Sequence, residues 1–358
     1  MWERSLRAKI LNVIPNLLFR VRDLHFSCLK AVGGGEVAAL VGACLFSAFA
    51  IACGGATAPA QQSPPAPPLT FISEWGTAGS GAGQLSRPQW MATDFGGNVF
   101  IADYGSGFIH KFNFEGRPLM SFDDAVPRDP YRVAVDSGNG IYALGEESNF
   151  VFIYSPLGEH YRQLALAPQR PHQVAQSVSV DDAGDIFVIV GSSSDSQGKS
   201  DSTKPEMREY NARGKFLKKL TIPEGSTPSP FIPASLVAAS DGYLYAVDST
   251  SKQVAKFTLS GDYSTAWATA APQPAKSPSP AESAGRGIGV TAKYVFVANP
   301  ENRGVRVWSV DGHEKITDDL GGRLNSSNGS YQITTSRRGE LLALDCSAAK
   351  VLRYKINF

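Results

Sequence analysis

The chain has 358 residues, 42% of them hydrophobic and 19% charged, with 35 Gly and 23 Pro, which is enough apolar material for one large core or two ordinary ones. A formal net charge of +1 excludes nucleic-acid binding driven by bulk charge. Short strand-like runs fill the sequence after residue 60, and no long amphipathic helix pattern interrupts them.

Residues 1–36 carry scattered Arg and Lys, and 37–52 are an unbroken run of small and apolar residues that ends at Cys53. A basic region, a short apolar core and small residues before a cleavage point describe an export segment over 1–52. At 16 residues the core is shorter than the roughly 20 that a spanning helix needs. Ala50-Ile51-Ala52-Cys53 resembles the lipobox of bacterial lipoproteins, with Ala50 where Leu is usual. The resemblance implies lipidation of Cys53 and a place in the bacterial cell envelope, anchored to a membrane and facing the periplasm or the exterior. Residues 53–68 then form an Ala/Pro-rich tether with nothing to bury. Cys28 and Cys44 would leave with the export segment, so Cys346 has no partner and no disulfide framework is expected. Cys346 is expected to be a small buried residue at a strand end.

From residue 69 onward the chain repeats one unit. Apolar runs begin at Asn98, Gly140, Asp185, Tyr243, Tyr294 and Glu340 (N-V-F-I-A-D is the first), and a further strand follows each in step, as in F-I-H-K-F-N and V-R-V-W-S. Five of these are followed by a Gly turn, at Gly116, Gly158, Gly214, Gly261 and Gly312, where a hairpin needs positive φ. With the runs 89–93 and 118–122 on either side, the unit is a four-stranded antiparallel meander. The sixth copy stops at Phe358 before its fourth strand, while T-F-I-S-E-W at 70–75 stands alone before the first. An N-terminal strand that completes the last sheet removes both open edges of the array. The predicted fold is therefore all-β, a six-bladed β-propeller of four-stranded antiparallel blades over 69–358, with a β-solenoid or two sandwiches as the alternatives set aside.

Gly79–Pro88 reads G-S-G-A-G-Q-L-S-R-P and leads into M-A-T-D-F-G-G-N-V-F-I-A-D and I-H-K-F-N-F-E-G. This resembles the NHL-repeat family, closely in the first copy, recognisably in the next two, and in strand pattern alone thereafter. The resemblance implies a six-bladed propeller used mostly as a binding module, a few relatives being metal-dependent enzymes such as amidating lyases.

Strand alternation puts the tight turns on one face, and the loops between second and third strands, with the blade crossings, on the other. Ligand contacts are expected on the second face, whose segments are longer and more varied. The crossings bring Arg87, Trp90, Arg128, Tyr131, Arg132, Arg170, His172, Arg286 and Tyr331 to the channel mouth. Forked Arg donors and aromatic faces suit an anionic or sugar-like ligand. The competing reading is that these Arg residues bond neighbouring carbonyls and Asp129 and lock blade to blade. Asp103, Asp248, Asn299 and Asp345 close the second strands and are expected to cap the next loop. Polar insertions at 191–205 and 268–284 lengthen the same face.

His110, His160, His172 and His313 fall at different radii and faces, so no metal site or cofactor is expected. No Ser-His-Asp arrangement follows from spacing. The expected function is a module that binds a protein, glycan or anionic small ligand, with no nucleic acid. The alternatives are a metal-assisted hydrolase or lyase, and a scaffold.

Overall fold

The structure is a computed structural model. It describes residues 68–358 apart from 124–128, 147, 168–171, 193–203, 249–251, 269–284, 300–302 and 325–329. The export segment 1–52, Cys53 and nearly all of the tether lie outside the described residues, as do most of both polar insertions.

Six antiparallel sheets form the ring. Blade 1 is Pro88–Thr93, Val99–Asp103, Phe108–Phe112 and Pro118–Phe122, and blade 2 is Pro130–Val135, Ile141–Gly145, Phe150–Tyr154 and His160–Ala165. Blade 3 is Gln173–Val180, Ile186–Ser192, Glu206–Tyr210 and Phe216–Leu220, and blade 4 is Pro233–Ala238, Tyr243–Asp248, Gln253–Thr258 and Tyr263–Ala268. Blade 5 is Ile288–Val290, Tyr294–Asn299, Gly304–Ser309 and Glu314–Asp318. Blade 6 takes Tyr331–Thr335, Glu340–Asp345 and Lys350–Ile356 from the end of the chain and Leu69–Trp75 from its start.

The second strand of each blade has a neighbouring blade on both faces. Val99–Asp103 and Ile141–Gly145 are buried at every position, and this is why these strands read as continuous apolar runs rather than alternating ones. Outermost strands such as His160–Ala165 alternate or lie exposed. The core is accordingly split among the blade-to-blade interfaces. One buried cluster joins Trp90, Phe100 and Ile109 of blade 1 to Val133, Ile141 and Phe152 of blade 2. Another joins Met91, Val99 and Phe112 of blade 1 to Leu342, Leu344 and Val351 of blade 6. The second seals the ring.

Leu69–Trp75 pairs antiparallel with Lys350–Ile356, from Leu69 opposite Ile356 to Trp75 opposite Val351. The Trp75 ring lies 5.0 Å from that of Phe112 and rests on Gly116, the turn glycine between the third and fourth strands of blade 1. Phe122 sits on Gly158 and Trp267 on Gly312 in the same way. The N-terminal strand thus makes the contact that an outer strand makes elsewhere in the ring. These glycines are needed twice over: their φ is positive, and a Cβ would enter the neighbouring ring.

The innermost strands of blades 1 to 4 each carry a one-residue bulge, between Pro88 and Trp90, Pro130 and Arg132, Ala175 and Ser177, and Pro233 and Ser235. In blade 5 the strand breaks at Gly287 (φ 96°), and Gly285–Arg286 runs parallel to the Tyr331–Gln332 stretch of blade 6. A bulge re-aims the side chain that follows it. Trp90, Arg132, Ser177 and Ser235 are thereby brought to the level that Gln332 reaches without a bulge, opposite Ala102, Leu144, Ile189, Val247 and Leu344.

Candidate functional site

Arg132 is the most unusual side chain at that level. It is 8% exposed, and its guanidinium lies 4.1 Å from the Trp90 ring and 4.8 Å from the Tyr131 ring. Nη1 donates to the Tyr131 carbonyl at 3.2 Å, whereas Nε is buried without an acceptor. No described carboxylate forms an ion pair with it. Burial pushes its pKa down to about 10, and the nearby Arg286 charge adds to the fall. A buried polar group without a partner is rare and costly, and a buried charge more so. The aromatic rings supply the compensation, by cation–π attraction.

Tyr131 and Tyr331 act as clasps between blades. The Tyr131 hydroxyl donates to the Ala175 carbonyl of blade 3. Tyr331, 1% exposed, donates to the Gly304 carbonyl of blade 5 at 2.7 Å. Burial raises both phenols above their ordinary pKa. Arg87 is exposed and lies over the Tyr104 ring at 4.6 Å, on its own blade. Arg286 is half-buried and interacts electrostatically with Tyr131, Arg132 and Cys346. His172 is exposed at the start of blade 3, with φ 56°. Arg128 and Arg170 lie outside the described residues. The structure therefore gathers Trp90, Tyr131 and Arg132, with Arg286 close by, and sends Arg87 and Tyr331 to other tasks.

Cys346 belongs to the same neighbourhood and was not among the sequence candidates. It is half-buried, with Sγ 4.0 Å from the Gln89 carbonyl, and burial pushes its thiol up to about 11. The hydroxyls of Ser177 and Ser235 were also missed; both are buried without a partner. A signal for this level exists in the chain. Pro88-Gln89-Trp90, Pro130-Tyr131-Arg132 and Pro233-Ala234-Ser235 each place Pro, a bulge residue and the re-aimed side chain in succession.

The carboxylates that close the second strands cap loops, as their position suggests. Asp248 accepts from the Lys252 and Gln253 amides at 3.0 Å each, and Asp345 from Ser347 and Ala348 at 3.0 and 2.8 Å. Asp103 does more. Fully buried, it accepts from the amides of Ser86 (2.7 Å) and Arg87 (2.6 Å) and from Ser106 Oγ (2.8 Å), with His110 Nε2 at 3.4 Å. Burial alone would raise its pKa, but the hydrogen bonds from His110, Ser86, Arg87 and Ser106 hold it below the ordinary value of 3.8. His110 Nδ1 in turn meets Ser121 Oγ at 2.7 Å. This Ser-His-Asp line was not visible from spacing. Its aspartate is committed to the crossing before blade 1, and it ties that crossing to the outer strands.

A cavity of about 430 Å³ occupies the channel. It starts at Trp90, Ser235 and Gln332 and runs away from the crossings to the turn residues Ser240, Ala292, Arg337 and Gly339. The sequence places the roomier face at the crossings. At the turn end Ala92, Val135, Val180, Ala238, Val290 and Thr335 are small or branched and leave the channel open. Among the described residues assigned to the mouth, Trp90 is the one that lines this cavity.

No protein-family model matches the chain, and neither does a curated protein sequence. Among solved structures it is similar to a streptogramin B lyase, at 15% identity and TM-score 0.51 over 80% of this chain and 98% of that one. It is also similar to the virginiamycin B lyase of Staphylococcus aureus, at 13% identity and TM-score 0.52 over 80% and 99% of the two chains. At such identities the likeness is one of fold, and the fold is a propeller.

Proposed function

We propose that the chain is an exported, lipid-anchored propeller that serves as a binding module, taking an anionic ligand, or the acidic group of a protein or glycan, at the crossing end of its channel. The observation that carries this reading is Arg132. A guanidinium withdrawn from water, stacked on Trp90 and Tyr131 yet left with an unmet Nε, is arranged as a receptor for a carboxylate or phosphate oxygen. An interblade clasp, by contrast, ends on an acceptor, as Tyr131 and Tyr331 do. The NHL-like character of the first repeat agrees with a binding role. Export through 1–52, lipidation at Cys53 and the spacer 53–68 would hold the ring off a bacterial membrane, facing the periplasm or the exterior.

Titration calorimetry of the purified protein at low salt tests the site, with inorganic phosphate and glucuronate as probes and glucose as the neutral control. Saturable binding of an anion but not of glucose, abolished by Arg132→Met, is expected. Binding that survives Arg132→Met, or none to either anion, would sink the reading. For the anchor, Cys53→Ala is expected to move the protein from the membrane to the soluble fraction and to abolish labelling by a fatty-acid precursor. An unchanged distribution removes that part of the proposal.

A further inference from the structure

The turn end of the channel is a different environment from the Arg132 end. Its cavity is walled by aliphatic side chains such as Val135, Val180 and Val290 with the hydroxyl residues Ser179, Ser240, Thr291 and Ser336 between them, and Arg337 is the single ionisable group among the described lining residues. Arg337 belongs to the turn after the innermost strand of blade 6. Its Nη2 donates to Asp182 Oδ1 at 2.6 Å, and Asp182 belongs to the corresponding turn of blade 3. In a ring of six, blades 3 and 6 are opposite, so this ion pair spans the mouth along a diameter. Two more turns meet it there. Ser137 of blade 2 donates to the Asp182 carbonyl at 3.1 Å, and Phe95 of blade 1, 67% exposed, lies 5.6 Å from the Arg337 guanidinium.

The pair is weakly held, because Arg337 and Asp182 are 36% and 60% exposed and water screens them. Deeper in the same cavity, Ser235 is 3% exposed and its Oγ has no partner. A channel walled by aliphatic side chains with hydroxyls between them, with an unmet hydroxyl inside and a cation at the rim, offers apolar and polar contacts to a small molecule, and its volume falls within the range of such sites.

We propose that this end is a second ligand site, for a small apolar carboxylate. The carboxylate takes the place of Asp182 on the Arg337 fork, the apolar body fills the channel, and Ser235 meets any polar atom carried inward. Asp182 is then a built-in competitor that occupies the anchor until a ligand arrives. Exchange of one carboxylate for another on a bidentate cation conserves charge at the rim, and burial of the apolar body drives it. An uncharged molecule of the same shape gains the burial but leaves the ion pair closed over it.

Calorimetric titration of the full chain with octanoate and with octanamide, at low and at 0.5 M salt, tests this. The acid is expected to bind at least ~10-fold more tightly than the amide at low salt, and high salt is expected to narrow the difference. Arg337→Gln should bring the acid down to the level of the amide. Asp182→Asn should tighten octanoate several-fold, because the competitor is gone. Both positions are exposed turn residues, so the variants can be checked for an unchanged unfolding midpoint before titration. Equal affinity for acid and amide, no binding of either, or octanoate binding unaffected by Arg337→Gln each overturns the proposal. Weaker octanoate binding in Asp182→Asn overturns the competitor role and with it the proposed exchange.

Discussion

Arg132→Met separates a receptor from a clasp, because the two readings predict stability changes of opposite sign. The fall of the guanidinium to about 10 corresponds to on the order of 3 kcal/mol against the charged form. Stacking on a desolvated aromatic returns about 2 kcal/mol, and the hydrogen bond to the Tyr131 carbonyl about 1 kcal/mol. The charged side chain is therefore near break-even, with the unmet Nε as a remaining cost of roughly 1–3 kcal/mol. Methionine keeps the apolar stem, suits the Trp90 face and removes the charge. Ligand-free Arg132→Met is expected to be as stable as the parent, or up to ~2 kcal/mol more so, which appears as a rise of a few degrees in Tm. The sign with pH follows from the lowered pKa of a base. The penalty is fully present below about pH 10 and is relieved only above it, so the gap between the two proteins stays constant from about pH 5 to 9. Scanning calorimetry across that range, with and without phosphate, measures it. A ligand at 100 times its Kd should stabilise the parent by about 2.7 kcal/mol and leave the variant unmoved. A loss of more than ~2 kcal/mol in the variant, with no anion effect on either protein, would refute the reasoning and make Arg132 an interblade clasp.

Trp75→Ala removes the ring that rests on Gly116 and Phe112 and should cost about 2–3 kcal/mol, read as a lower urea midpoint; an unchanged midpoint would mean that the N-terminal strand does not close the ring. Asp103→Asn should cost about 2–3 kcal/mol near neutrality, since it weakens bonds to two amides and to His110. Because the folded pKa of Asp103 lies below 3.8, its contribution is complete above that value and is lost as pH falls through the lowered one; the gap between parent and variant should persist at pH 5–8 and shrink below about pH 4, and a gap independent of pH would contradict the network. The Cys346 thiol, raised to about 11, should be alkylated at pH 8 roughly 100-fold more slowly in the folded than in the unfolded protein, as followed by mass spectrometry of its peptide. Equal rates would show that burial does not protect it.

The repeat was legible because its strongest element is the one with a blade on each face. Val99–Asp103 and its counterparts are buried at nearly every position, so tertiary packing writes a continuous apolar run that recurs around the chain. The closing strand could be inferred from the absence of a fourth strand after Lys350–Ile356 and its surplus at Leu69–Trp75. Among the mouth residues, Trp90 and Arg132 converge because one-residue bulges turn them to the same level. Bulges leave only the faint trace of a preceding Pro, and Arg87, one position before Pro88, ends on Tyr104 instead.

What the sequence determined by itself is the number of blades, their order and the strand that latches the ring, since all three follow from local apolar periodicity and from where the copies begin and end. The tertiary structure decided which charges meet. Arg132 finds Trp90 of the previous blade, and Arg337 finds Asp182 across the channel although 155 residues separate them. Closure of the ring sets opposite turns facing each other across the channel, and no pattern along the chain encodes which side chains are long enough to bridge it.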